Sequence, residues 1–115
     1  MPAASWSTER AERAAKAWAA ELPAAFGILL LDEQEYTLQP LVCVQGVSLI
    51  WERGCGSGTS AVGVYLAQKE GRNVALSLKQ PGGIMGVEAE VTDGKITALS
   101  MTGRVFIVAE GTAYI

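Results

Sequence analysis

Apolar residues change their spacing along the chain, and each change marks an element. Ala11, Ala14, Ala15, Trp18 and Leu22 recur at three- and four-residue intervals, one face of a helix, with Arg10, Arg13, Lys16 and Glu21 largely elsewhere. Ser7 is placed to cap that helix, Glu9 and Glu12 occupy its first turns, and Pro23 is expected to end it. Its alanines suggest close approach to a sheet. From Phe26 the pattern is that of strands: 26–31 reads as buried, 32–35 as a polar turn, and 36–44 as a second strand. Pro40 within it predicts an edge or bulge position. Gln45-Gly46 turns the chain into a third strand over 47–51. A glycine loop, Arg53-Gly54-Cys55-Gly56-Ser57-Gly58, then leads to a second helix over 59–69. Ala61, Val62, Val64, Tyr65 and Leu66 surround that helix almost completely, which predicts burial, and Gly71 is its expected C-terminal cap. The last third predicts strands at 73–78, 84–91, 96–101 and 104–108 and a short tail, with turns at Pro81-Gly82-Gly83 and Asp93-Gly94. The expected fold is α/β in the α+β sense. A strongly curved, barrel-like, mostly antiparallel sheet wraps one central buried helix, with the N-terminal helix outside.

Composition narrows the function classes. A chain of 115 residues is expected to be a single domain spanning 1–115. Net charge is −3 with acids and bases mixed, and no Lys/Arg cluster accompanies aromatics, which argues against a nucleic-acid partner. The longest apolar runs, near 27–31 and 105–109, fall far short of a bilayer span, and the N-terminus lacks the pattern of a signal peptide. A soluble cytoplasmic protein without membrane association is therefore expected. There is no histidine, so a Ser-His or Cys-His couple within this chain is impossible, as is a His-ligated metal. The two cysteines, Cys43 and Cys55, make neither a disulfide framework nor a zinc site the expectation. Carboxylates, hydroxyls, backbone amides and thiols remain to carry chemistry.

The informative stretch is Trp51-Glu52-Arg53-Gly54-Cys55-Gly56-Ser57-Gly58-Thr59-Ser60-Ala61. A strand delivers the chain to a glycine loop that opens a helix, whose unpaired amides point outward at the positive end of its dipole. Such an end suits a phosphate or a carboxylate, and the same field favours a thiolate at Cys55, with Arg53 nearby. A phosphate-binding loop fails on residues, since no Lys-Ser/Thr pair follows the last glycine. For a dinucleotide fingerprint counted from Gly54, Thr59 stands where the third glycine belongs. Counted from Gly56, the looser pattern ending in Ala61 fits, but the next strand ends in Lys79-Gln80 rather than in an acid for the ribose. Two readings stay open. Either the glycines make a tight turn and Cys55 is a small filler, or Cys55 is an acid/base beside a carboxylate bound by the loop.

The stretch 52–61 resembles the second cysteine motif of diaminopimelate epimerase and its relatives, the proline and histidine racemases. Downstream, Gln80-Pro81-Gly82-Gly83, Met85-Gly86-Val87-Glu88, Met101-Thr102-Gly103-Arg104-Val105-Phe106 and Glu110-Gly111 follow in the same family's order. The resemblance, from about Ala25 onward, implies the C-terminal half of such an enzyme. It also implies that Cys55 is one of two catalytic thiols and that the segment Gly56, Ser57, Gly58 and Thr59 holds the α-carboxylate of an amino acid. Glu52 is a candidate for the substrate amine, although Glu52-Arg53 sits closer to the cysteine than in diaminopimelate epimerase. That short spacing, with Thr59-Ser60-Ala61, is closer to the racemases of other amino acids.

The implied reaction is racemisation or epimerisation at Cα without pyridoxal phosphate, another cofactor or a metal. The family's first half, with its own cysteine on a matching glycine loop, is not seen, and Cys43 reads as a core residue in a strand. The implied partners are an amino-acid substrate and either a missing N-terminal half or further copies of the chain. The alternative is a non-catalytic binding or dimerising half-domain of the same fold.

Overall fold

A computed structural model describes all 115 residues. A short 3-10 turn, Ala3–Ser5, precedes helix α1, Thr8–Trp18. Strands β1 (Ala25–Asp32), β2 (Thr37–Val44) and β3 (Ser48–Trp51) follow, then helix α2 (Gly56–Glu70), then β4 (Val74–Gln80), β5 (Gly83–Thr92) and β6 (Lys95–Thr102). The sheet runs β1-β2-β4-β5-β6, with β3 paired to β2 beside that path. All pairings are antiparallel except β2 with β4, which meet in parallel at Thr37 and Lys79. The result is a curled half-barrel with a helix on either side of its first strands, the mixed architecture that the sequence predicts.

Strand alternation assigns the two faces. Ile28 and Leu30 of β1 and Leu41 of β2 pack with Ala11 and Ala15 of α1, whose lack of side-chain bulk brings helix and sheet together. Leu31, Leu38, Leu78, Val74 and Ala89 form the opposite core with Val62, Leu66 and Ala67 of α2. Ser7 caps α1 by accepting the Arg10 N–H at 3.1 Å. The helix stops at Trp18, a turn earlier than Pro23 requires, and leaves Leu22 exposed. Gly71 ends α2 in the left-handed conformation, φ 66°, and Asp93 and Gly94 both take positive φ, the mirror-type turn that fits a hairpin's twist.

Four expectations are corrected. Pro40 lies neither at an edge nor at a bulge. Its carbonyl accepts the Glu52 N–H at 2.9 Å on the side away from β1, so its missing N–H faces the same side. There the neighbouring strand changes, with Thr37 paired to Lys79 and Leu41 to Trp51, and the gap between them needs no donor. Helix α2 begins at Gly56 rather than Thr59, which makes Cys55 its N-cap. It is buried on one side only: Ala61, Tyr65 and Gln68, one above the other, face outward because the half-barrel does not close over them. Residues 104–108 form no strand. Val105, Phe106, Ile107 and Val108 are all exposed, and an extended segment without a neighbouring strand has nothing to pair with.

Candidate active site

Trp51 ends β3, and its Nε1 donates to Glu12 Oε1 at 2.6 Å, anchoring the strand end to α1. The chain then crosses Glu52-Arg53-Gly54 to Cys55, whose extended backbone (φ −135°, ψ 113°) precedes the helix. Its Sγ accepts the Gly58 N–H at 3.3 Å, in the manner of a serine or aspartate cap. The sulfur thus sits at the positive end of the α2 dipole, 3.4 Å from Ser57 Oγ. The Cys55 N–H donates to Gln80 Oε1 at 3.0 Å, and its carbonyl accepts from the Thr59 N–H at 2.9 Å and from Thr59 Oγ1 at 2.6 Å.

These bonds separate the loop's donors by availability. Gly58 gives its amide to the sulfur, and Thr59, fully buried, spends both amide and hydroxyl on Cys55. The amides of Gly56 and Ser57, first in the helix, have no backbone acceptor and remain for an incoming anion. Ser57, but not Gly56 or Thr59, lines a cleft of about 330 Å³, at the small end of ligand pockets. Cys55, Ser57, Gly58 and Ala61 wall it on the helix side, and Phe26, Gly27 and Leu29 of β1 on the other.

The other candidates lie elsewhere. Glu52 is half-buried at the strand end, outside the cleft lining, and its amide is tied to Pro40. Cys43 is buried on the sheet face it shares with Leu41, toward α1 and away from the cleft. The contribution of Gln80 went unseen in the sequence. A polar residue ending an alternating strand carries no sign that it turns inward.

A difference in thiol accessibility follows. Iodoacetamide is expected to label Cys55 faster than Cys43 by on the order of tenfold or more, because Cys43 must await local opening. Gly58→Ala should slow Cys55 alone: a Cβ there lies 2.9 Å from Leu29 Cδ2 and 3.3 Å from Cys55 Sγ, and displaces the sulfur. Peptide mapping of the labelled chain reads both, and preferential labelling of Cys43 would contradict the assignment.

A half-barrel whose helix is capped by a thiol beside a small apolar cleft is the candidate site. The model of the histidine racemase CntK N-terminal domain family matches residues 3–114, and the chain belongs to that family. It is 41% identical over 93 residues to a histidine racemase of Staphylococcus aureus, covering 77% of this chain and 33% of that protein. It is 36% identical over 92 residues to a histidine racemase of Fusobacterium nucleatum, covering 79% and 33% respectively. The chain therefore spans about a third of the length of the curated relatives it matches. The family is described as an N-terminal domain, at odds with the assignment of these motifs to a second half.

Proposed function

We propose that this chain is one half of a cofactor-independent amino-acid racemase of the diaminopimelate epimerase-like superfamily, with Cys55 as one of its two acid/base thiols. The observation that carries the proposal is the thiol at the N-cap of α2, held by the Gly58 N–H, with the Gly56 and Ser57 amides free beside it. The relatives' name, histidine racemase, makes histidine the first substrate to try.

The substrate carboxylate accepts from the Gly56 and Ser57 amides, which brings Cα toward the sulfur. The Cys55 thiolate takes the α-proton from one face, and a thiol on the opposite side gives its proton to the other. The C–H bond broken on one face is replaced by one on the other, and the two sulfurs exchange protonation states. Negative charge moving into the carboxylate at the transition state is met by fixed amides and the helix dipole. Supporting a two-half arrangement are the single thiol at the cleft, the open face of α2 and the exposed apolar residues 105–108.

The chain alone is expected to convert L-histidine to the D-enantiomer barely above background, because one thiol reaches one face of Cα. Conversion should appear when a second cysteine-bearing half is supplied, and chiral chromatography of the product follows it. Full turnover by a chain shown to be monomeric would refute the two-half reading.

A further inference from the structure

We infer that Gln80 is a positioning residue for the Cys55 thiol, acting through a closed ring of hydrogen bonds that clamps both ends of the Cys55 backbone. The inference rests on the proposed role of Cys55 and adds the device that keeps its sulfur in place.

The ring has a single direction. A backbone N–H can only donate, so the Cys55 amide fixes the oxygen of the Gln80 side chain toward it, at 3.0 Å. The nitrogen end, Nε2, then donates to Thr59 Oγ1 at 2.6 Å. The Thr59 hydroxyl has one proton to give, and the Cys55 carbonyl at 2.6 Å is a stronger and nearer acceptor for it than Met85 Sδ at 3.7 Å. Each link of the ring joins a donor to an acceptor, and no buried side-chain nitrogen or oxygen is left without a partner. Gln80 is 8% exposed and Thr59 0%, so water does not readily replace either partner, and bonds in such surroundings are costly to lose. The turn after Gln80 adds a second grip, since the Gly82 N–H donates to the Arg53 carbonyl at 2.6 Å. What stays free at Cys55 is the side-chain torsion, and the Gly58 amide fixes that.

The chemistry requires glutamine itself. Methionine has the same reach with no donor and only a weakly accepting sulfur, and asparagine is one methylene short. A glutamate carboxylate accepts from Cys55 but has no proton for Thr59, whereas a protonated glutamic acid has both an acceptor and a donor. Gln80→Glu should therefore close the ring in acid and open it as the carboxyl ionises.

The test follows the amide signals of Cys55 and Thr59 by nitrogen-edited NMR on the chain from about pH 4 to 8, across the range of a buried carboxyl. In Gln80→Glu both signals are expected to move together through one transition, matching the native positions at its acid end. In the native chain and in Gln80→Met no such transition occurs. At neutral pH both variants should slow labelling of Cys55 by roughly three- to tenfold, the size of one net hydrogen bond, while Cys43 keeps its native rate. A merely structural glutamine would instead loosen the fold and expose Cys43 as well. Should Gln80→Met fail to fold, the Gln80→Glu titration decides by itself. Cys55 signals and labelling untouched in Gln80→Glu across the pH range would overturn the inference. None of these measurements uses racemase activity, so their failure leaves the role of Cys55 standing. Conversely, loss of that role through an active Cys55→Ser leaves the ring intact.

Discussion

With a second cysteine-bearing half present, Cys55→Ser is expected to lower α-proton exchange by roughly 10³-fold, within the usual contribution of a positioned acid/base. The fold should not suffer. Serine is a better helix cap than cysteine, and its Oγ can accept the same Gly58 N–H that Sγ accepts at 3.3 Å. Thr59 and Gln80 bind only the backbone of residue 55, so the ring beneath the loop is unchanged. The substrate carboxylate still finds the Gly56 and Ser57 amides, and binding should change little. What disappears is a thiol able to take up the α-proton and return it on the next turnover; a serine alkoxide is far too basic a form to stand in for it. A melting temperature equal to or above that of the native chain, with exchange near background, is the expected pair of results. Exchange at the native rate in the serine variant would remove the cysteine mechanism.

Much of this site was legible in the residues, and the missing parts share a cause. Local chemistry announced itself. Ser7 caps α1, Gly71 ends α2, and Asp93-Gly94 closes a hairpin, because each depends on a few adjacent residues. The start of α2 did not. Gly56-Ser57-Gly58 has poor helix propensity, so the pattern places the helix at Thr59, whereas packing against the sheet lets it begin three residues earlier. That shift turns Cys55 from a loop residue into the helix cap. It also divides the glycine-loop amides into two without a backbone acceptor and two bound to Cys55. Gln80 lies 25 residues from Cys55 and reaches it from the end of β4, a relation no local spacing encodes. Residues 104–108 carry the composition of a strand. Pairing is a property of two segments, however, and 104–108 is paired with none.

Gly63→Ala is expected to lower the melting temperature by roughly 5–10 °C, although alanine is the better helix former. The propensity gain is about 1 kcal/mol. Against it stands space: a Cβ on Gly63 would lie 2.5 Å from Val87 Cγ2, closer than carbon atoms approach, and a tight 3.3 Å from Cγ1. Val87 cannot step aside. It is buried, and its strand is held on both edges, opposite Leu76 in β4 and Met101 in β6. The helix must therefore retreat from the core where Val62, Leu66 and Ala67 meet Leu78 and Ala89. Overpacking of this kind costs about 1–3 kcal/mol, and with a contact this short the upper end applies, leaving a net loss of about 1–2 kcal/mol. For a chain of this length each kilocalorie is worth about 4–8 °C. Because Gly63 and the Cys55 cap ride on one helix, the retreat also carries the sulfur relative to the β1 wall, and Cys55 labelling should change with it. Val87→Ala removes the obstructing methyls, so adding it to Gly63→Ala should restore much of the loss, by about 1 kcal/mol or more beyond additivity. Thermal melts of the two single variants and the double variant measure that coupling. An alanine at 63 that leaves the melting temperature unchanged, or additive effects in the double variant, would show that α2 does not press on β5 at this point.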